Sequence, residues 1–222
     1  MTKFIAIAAL ATLSTTANAA LTISEVHPTG SSTFSYGSDW FELTNTGATA
    51  FDISGYKVDD NSNAFATARD LLGVTSIAPG QSVIFMEATP ATAADKIAAF
   101  KAVWFGSNVP ADLLIGTYSG SGIGLSSSGD NVVIFDGSGN RVVGVDFGAA
   151  TLSVTFDNAA GAGGTAAPFP IIARLSEVGV NGAFTSADGE IGSPGRIAAI
   201  PEPTALGLIA LAGVAMAARR RA

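Results

Sequence analysis

Asp39-Trp40-Phe41-Glu42-Leu43-Thr44-Asn45-Thr46-Gly47 decides how the rest of this chain is read. Successive side chains of a strand point to opposite sides. The run therefore sets Phe41 and Leu43 on one side and Trp40 and Glu42 on the other, and Asn45-Thr46-Gly47 turns the chain. Upstream, Leu21-Thr22-Ile23-Ser24-Glu25-Val26 alternates apolar and polar residues and reads as a half-buried strand. Downstream, Phe51-Asp52-Ile53 and Tyr56-Lys57-Val58 flank Ser54-Gly55, Asp59 to Asn63 is a polar loop, and Ala78-Pro79-Gly80-Gln81 turns into Val83-Ile84-Phe85-Met86. Further strands are expected at Leu113 to Ile115, Asn131 to Phe135, Arg141 to Phe147, Leu152 to Phe156 and Ile171 to Leu175. Asp136 to Asn140 is the hairpin loop between the second and third of these runs, Asn131 to Phe135 and Arg141 to Phe147. One segment differs: Thr89-Pro90 caps a helix over Ala91 to Val103, with Pro at the first helical position and an end near Trp104-Phe105-Gly106. Many short strands with frequent turn signals mean an all-β sandwich or barrel with one short inserted helix.

Composition narrows the chemistry. The 222 residues leave room for one domain of up to roughly 200 residues or two small ones. Charged residues make up 13%, about half the usual share, whereas 48% are hydrophobic and 8% aromatic, which excludes a disordered chain. The absence of cysteine removes disulfide scaffolds, thiolate zinc sites and cysteine nucleophiles. A single histidine, His27, cannot make a histidine metal cluster and leaves little for a Ser-His-Asp triad. Residues 20–197 hold seven Lys and Arg against seventeen Asp and Glu, a net charge of −10 that opposes nucleic-acid binding.

Both ends read as delivery segments. Lys3, the apolar run Phe4 to Leu13 and the small residues Ala17 and Ala19 form a secretory signal peptide over 1–19, cut between Ala19 and Ala20 and implying the Sec export machinery. At the other end Pro201-Glu202-Pro203-Thr204 leads into the uncharged run Ala205 to Ala218 and then Arg219, Arg220 and Arg221. The arginines favour the cytoplasmic side and act as a stop. As a transmembrane helix, Thr204 to Ala218 rises only about 22 Å against a hydrocarbon core of about 30 Å. So short an anchor suits a segment that is recognised and then processed.

That tail resembles the PEP-CTERM sorting signal of Gram-negative bacteria, with Pro201, Glu202 and Pro203 as the recognition motif. The resemblance implies an exosortase-like processing enzyme, a membrane-anchored precursor, and a destination at the cell surface or in an extracellular polysaccharide matrix, polysaccharide being a candidate partner. Between the ends, 20–197 resembles the lamin-tail domain, an immunoglobulin-like β-sandwich. The residues carrying this are Ile23 to Val26, Asp39 to Gly47, Phe51 to Asp60, Ile77 to Gln81, Gly124-Leu125-Ser126, Gly129-Asp130-Asn131, Arg174-Leu175 and Gly192-Ser193-Pro194-Gly195. The longer loop from Thr29 to Ser38 and the helix after Thr89 depart from the pattern and are expected to add surface. Residues 198–222 form the sorting and anchor segment. The resemblance implies a binding or structural domain, with an accessory role beside secreted nucleases or hydrolases, or a calcium- or glycan-binding adhesion module, as the alternative.

Candidate sites are few. Glu25, His27, Asp39 and Glu42 could converge on a metal or an acid/base pair, but the plainer reading is polar contacts in loops and strand ends. Asp59 to Asn63 and Asp136 to Asn140 are oxygen-rich, as calcium prefers, yet lack the spaced pattern ending in a bidentate Glu. No other cofactor is implied. Ser126 to Gly129 is a surface turn with no base but His27. Gly120 to Gly124 lacks the Lys-Ser/Thr ending of a phosphate loop. Tyr36, Tyr56 and Tyr118 could stack on sugars if exposed. No residue is assigned a catalytic role.

Overall fold

Two five-stranded sheets lie against one another in residues 21–196, the part that the computed structural model describes. The segment expected to be a signal peptide, with Ala17, Ala19 and Ala20, and the tail with Pro201 to Thr204 and Arg219 to Arg221, lie outside the described residues. In chain order the strands are β1 (Leu21–His27), β2 (Trp40–Asn45), β3 (Phe51–Asp52), β4 (Lys57–Asp59), β5 (Arg69–Asp70), β6 (Ser76–Ile77), β7 (Ser82–Glu87), β8 (Leu114–Tyr118), β9 (Asp130–Phe135), β10 (Arg141–Phe147), β11 (Phe156–Asp157), β12 (Ile171–Ile172), β13 (Phe184–Thr185) and β14 (Ile191–Gly192). Two helices, α1 (Gly30–Thr33) and α2 (Ala93–Phe105), interrupt them. The first sheet runs β11-β1-β2-β7-β8 and the second β12-β10-β9-β4-β5, with two small pairs, β3 with β6 and β13 with β14.

The apolar alternation builds the space between the sheets. Ile23, Val26, Phe41, Leu43, Val83 and Phe85 from the first sheet meet Val58, Val132, Ile134, Val143, Val145 and Phe147 from the second in one buried cluster. Phe41 and Leu43 share a side, as their spacing requires. β1 does not keep strict alternation. Its register against β2 slips between Ile23 and Glu25, a β-bulge. The extra residue returns Val26 to the core opposite Phe41 and leaves Ser24 and Glu25 together on the outer side.

That outer side is dry. β1 and β2 are buried along their whole length, not half-buried. Trp40, Ile84 and Met86 pack beneath Tyr36, Phe100, Val103, Trp104 and Phe105, so the 29–38 loop and α2 form a third layer instead of added surface. α2 has a topological reason as well. β8 runs parallel to β7, and parallel neighbours need a long crossover, which this helix supplies. It starts later than expected: Thr92 is the N-cap, and the Thr89 carbonyl accepts from Thr92 N–H and Ala93 N–H in the preceding turn that holds Pro90. The expected strand at 152–156 is mostly turn, with Ser153 at φ 67°, and only Phe156–Asp157 pairs with β1. The 171–175 strand shrinks to β12, parallel to β10. Among the described residues no helix is long and apolar enough to cross a membrane.

Phe41 is the centre of this packing, its ring 5.7 Å from Phe85 and 5.5 Å from Tyr118. Phe41→Ala is expected to cost about 3–5 kcal/mol of unfolding free energy in urea titrations. A loss under about 1 kcal/mol would contradict a shared core between the sheets.

Candidate functional site

The bulge in β1 sets Glu25 directly opposite Glu42 on the outer side of the first sheet, each only 1% exposed. Directly opposed side chains on neighbouring strands start about 5 Å apart, so two carboxyl groups share one small dry space. Glu42 Oε1 accepts from Ser24 Oγ at 2.6 Å. Ser24 Oγ in turn accepts from Thr44 Oγ1 at 2.9 Å, and Thr44 Oγ1 bonds Ser82 Oγ at 3.0 Å. Glu25 Oε1 accepts from Thr155 Oγ1 at 2.5 Å, and Thr155 bonds Ser176 Oγ at 2.6 Å. Each carboxyl thus ends its own chain of hydroxyls.

The remaining donors come from residues 186–196, a strap laid across these strands. Ser193 N–H donates to Glu25 Oε1 at 2.8 Å and Ser193 Oγ to Glu25 Oε2 at 3.3 Å. Gly195 N–H donates to Glu42 Oε2 at 2.6 Å. Two glycines make the approach feasible. A Cβ on Gly192 would lie 2.7 Å from Glu25 Oε1 and 2.9 Å from Thr155 Cγ2. Gly195 has φ +71°, a conformation that L side chains rarely adopt. Among the described residues no cationic side chain is hydrogen-bonded to either glutamate.

A second buried station lies alongside. His27 Nε2 and Glu190 Oε1 are 2.9 Å apart, and the Tyr36 hydroxyl donates to the same oxygen. Ser186 Oγ donates to Glu190 Oε2 at 3.2 Å, Trp40 Nε1 to the Tyr36 hydroxyl at 3.2 Å, and Thr29 Oγ1 meets His27 Nδ1 at 3.2 Å. The strap is therefore pinned to the sheet at Glu190, Ser193 and Gly195.

Burial, and then the charge of Glu42, push the Glu25 carboxyl up from an ordinary 4.5 to about 8, against the hydrogen bonds from Thr155 and Ser193. Burial likewise lifts Glu42 to about 7, against those from Ser24 and Gly195. The causes are desolvation and like charge, since an ionised carboxylate in an apolar space with a second one beside it is disfavoured. Around neutral pH the pair therefore retains a proton. Buried beneath the strap, with only a small cleft reaching Glu42, it can hold that proton and bind backbone N–H groups but offers no room for a substrate.

The four acid/base candidates do not converge on one point. Glu25 and Glu42 meet, His27 pairs with Glu190, and Asp39 Oδ1 accepts from Ser31 N–H at 2.9 Å. The two glutamates lie within strands, fully buried, instead of making strand-end contacts. Among the described residues no group of three or more His, Cys, Asp or Glu could hold a metal. The oxygen-rich turns are folded on themselves. Asp59 Oδ2 accepts from Ser62 Oγ at 2.5 Å and Ala64 N–H at 2.7 Å, and Asp136 Oδ1 accepts from Ser138 and Asn140 N–H at 2.9 Å each. Ser126 N–H is bonded to Asp130, and Gly124 N–H to Asp60. Tyr36 and Tyr118 are 2% and 1% exposed and cannot stack on a sugar, while Tyr56 is partly covered against Phe51. The sequence reading missed Glu190, Thr155 and the carboxylate-binding role of Ser193 and Gly195. The one signal in the sequence is the Gly192-Ser193-Pro194-Gly195 stretch, which is among the residues that carry the lamin-tail resemblance.

The family model of the lamin tail domain matches residues 14–149, and that of the PEP-CTERM protein-sorting motif matches residues 199–221. The first match covers β1 to β10 and stops before the strap. No curated protein and no solved structure matches the chain.

Two outcomes follow from the geometry. A carboxyl whose pKa is raised on folding keeps a proton that the unfolded chain releases above about 4.5, so folding stability falls as pH rises from there to about 8 and then levels off. Asp39, Glu87, Asp130 and Asp146 are shifted up by burial and act in the same direction. The urea midpoint should therefore be higher at pH 5 than at pH 8, and Glu42→Gln should flatten the profile. A midpoint that climbs across this range would contradict the site. Gly192→Ala, which crowds the strap against Glu25, should lower stability by about 1–3 kcal/mol in the same assay.

Proposed function

The chain belongs to the lamin tail domain family and carries a PEP-CTERM sorting motif, and from that premise we propose that it is an exported, non-catalytic β-sandwich that works as a binding or structural element at the cell surface or in the extracellular matrix. The sorting motif indicates export of a membrane-anchored precursor in a Gram-negative bacterium and processing by an exosortase-type enzyme. In this reading residues 1–19 are a signal peptide cut between Ala19 and Ala20, 20–197 are the cargo, and 198–222 anchor the precursor. Pro201, Glu202, Pro203 and Thr204 are the recognised motif, and Arg219 to Arg221 hold the tail on the cytoplasmic side.

One observation carries the proposal. The sorting match begins at residue 199, three residues past Arg196, and the residues just before it, Ser193 and Gly195, are bonded into the first sheet. The tail starts where the sandwich ends, which suits a sorting device fused directly to folded cargo. The non-catalytic part rests on access. Glu25, Glu42 and His27, the groups best suited to acid/base work, are buried beneath packed chain.

Intact-mass analysis of the protein from its native host tests the delivery reading. The expected species starts at Ala20 and ends near Pro203. Recovery of the chain with Arg219 to Arg221 still attached, from cells actively exporting it, would overturn the processing step. Hydrolase and nuclease screens with and without divalent metals should be blank, and metal-dependent turnover would overturn the non-catalytic reading.

A further inference from the structure

We infer that Glu25 and Glu42 form a proton-dependent latch on the C-terminal strap: with a proton shared between them the stretch from Glu190 to Arg196 stays docked on the first sheet, and loss of that proton frees it. The hydrogen bonds of the strap's end to the sheet support this. Ser193 N–H, Ser193 Oγ and Gly195 N–H all donate to these two carboxyls. A singly protonated pair carries one negative charge, which three donors and the flanking hydroxyls solvate. A doubly ionised pair places two charges face to face in a buried space that only a small cleft at Glu42 reaches, and opening the strap is the shortest way to hydrate both.

The charges around the pair leave it without a compensating ion. On β1, His27 is held by Glu190 of the strap. On the strap itself, the Arg196 guanidinium lies 5.0 Å over the Phe184 ring. Asp157 on β11, 3.3 Å from Arg174 and bonded by Asn181 at 2.7 Å, lines with Arg196 a small cleft that reaches Glu42. Asp39 precedes β2 and is bonded by Ser31. α2 turns the uncharged Trp104 toward Gly192, while its Lys96 is bonded to the carbonyls of Gly37 and Glu87. β7 contributes the uncharged Ser82, which bonds Thr44 and also favours the ionised form of Glu42. Burial raises both glutamates into the neutral range, which puts the event within ordinary conditions.

The consequence for delivery rests on the sorting reading above. Undocking seven residues adds roughly 20 Å of reach between the sandwich and the sorting motif. The domain could then stand closer to or further from the membrane according to the pH outside the cell.

Hydrogen exchange by mass spectrometry on the full chain in detergent tests the latch. Opening releases to solvent the protons that the docked pair holds above the 4.5 of a hydrated carboxyl, so exchange of peptides holding Ser193 and Gly195, corrected for the intrinsic rate, should rise by tenfold or more per pH unit between about pH 5 and pH 7, more gently up to about pH 8, and then level off. Peptides from β9 and β10 should stay protected throughout. Glu25→Gln should make the slope markedly shallower, because one buried carboxyl instead of two then titrates, and Glu42→Gln serves where the first variant fails to fold. Constant strap protection, an unchanged slope in a folded variant, or parallel loss of protection in β9 and β10 would each overturn the latch. The mass of the processed protein is unaffected by any of these outcomes, so the latch and the sorting reading fail separately.

Discussion

Two carboxyl groups face one another on neighbouring central strands, on a buried side of the sheet where, among the described residues, no cationic side chain bonds to either. An ionised pair in that position would be expensive to bury, and the covering layer is arranged around that constraint. Glu25 and Glu42 take hydroxyl donors from Ser24 and Thr155 in the sheet layer and amide donors from Ser193 and Gly195 above it. The chain after β11 is therefore held by the polar side of the first sheet as well as by apolar packing.

The segments added around the sandwich have distinct tasks in closing that side. The 29–38 loop brings Tyr36 over Trp40, and α2 stacks Phe100 and Trp104 edge-on against the same indole. The helix also carries the chain back so that β8 can join β7 in parallel. The strap lies past residue 149, where the lamin tail domain match ends, and connects the sandwich to the sorting motif. A feature outside the matched part of the fold thus joins the part shared with the family to the part that matches the sorting motif.

Much of the sandwich is legible in the sequence, because a strand that buries one side against a core must alternate. Phe41 and Leu43, or Val132 and Ile134, reveal themselves in that way. The β1 bulge does not, because one extra residue changes which side Glu25 and Val26 occupy without altering composition. Double-sided burial of β1 and β2 was hidden for a related reason: Thr22, Ser24, Glu25, Glu42 and Thr44 are the residue types of a wet face, and only the distant Ser193, Gly195 and Thr155 keep them dry. The two-residue strands β5, β6, β13 and β14 are too short for any period to register. Asp59 and Asp136 read equally as cation ligands or as turn formers, and the local backbone N–H groups decide for turns.

The shared proton is open to direct observation. With the glutamate side-chain carbons labelled, a carbon-13 nuclear magnetic resonance titration follows each carboxyl separately. The account predicts that the signals of Glu25 and Glu42 titrate as a coupled pair well above the 4.5 of a free glutamate, with one acid form still present at pH 7. Two independent titrations near 4.5 would show that the pair is ionised and solvated, and would contradict the buried-pair account at its centre.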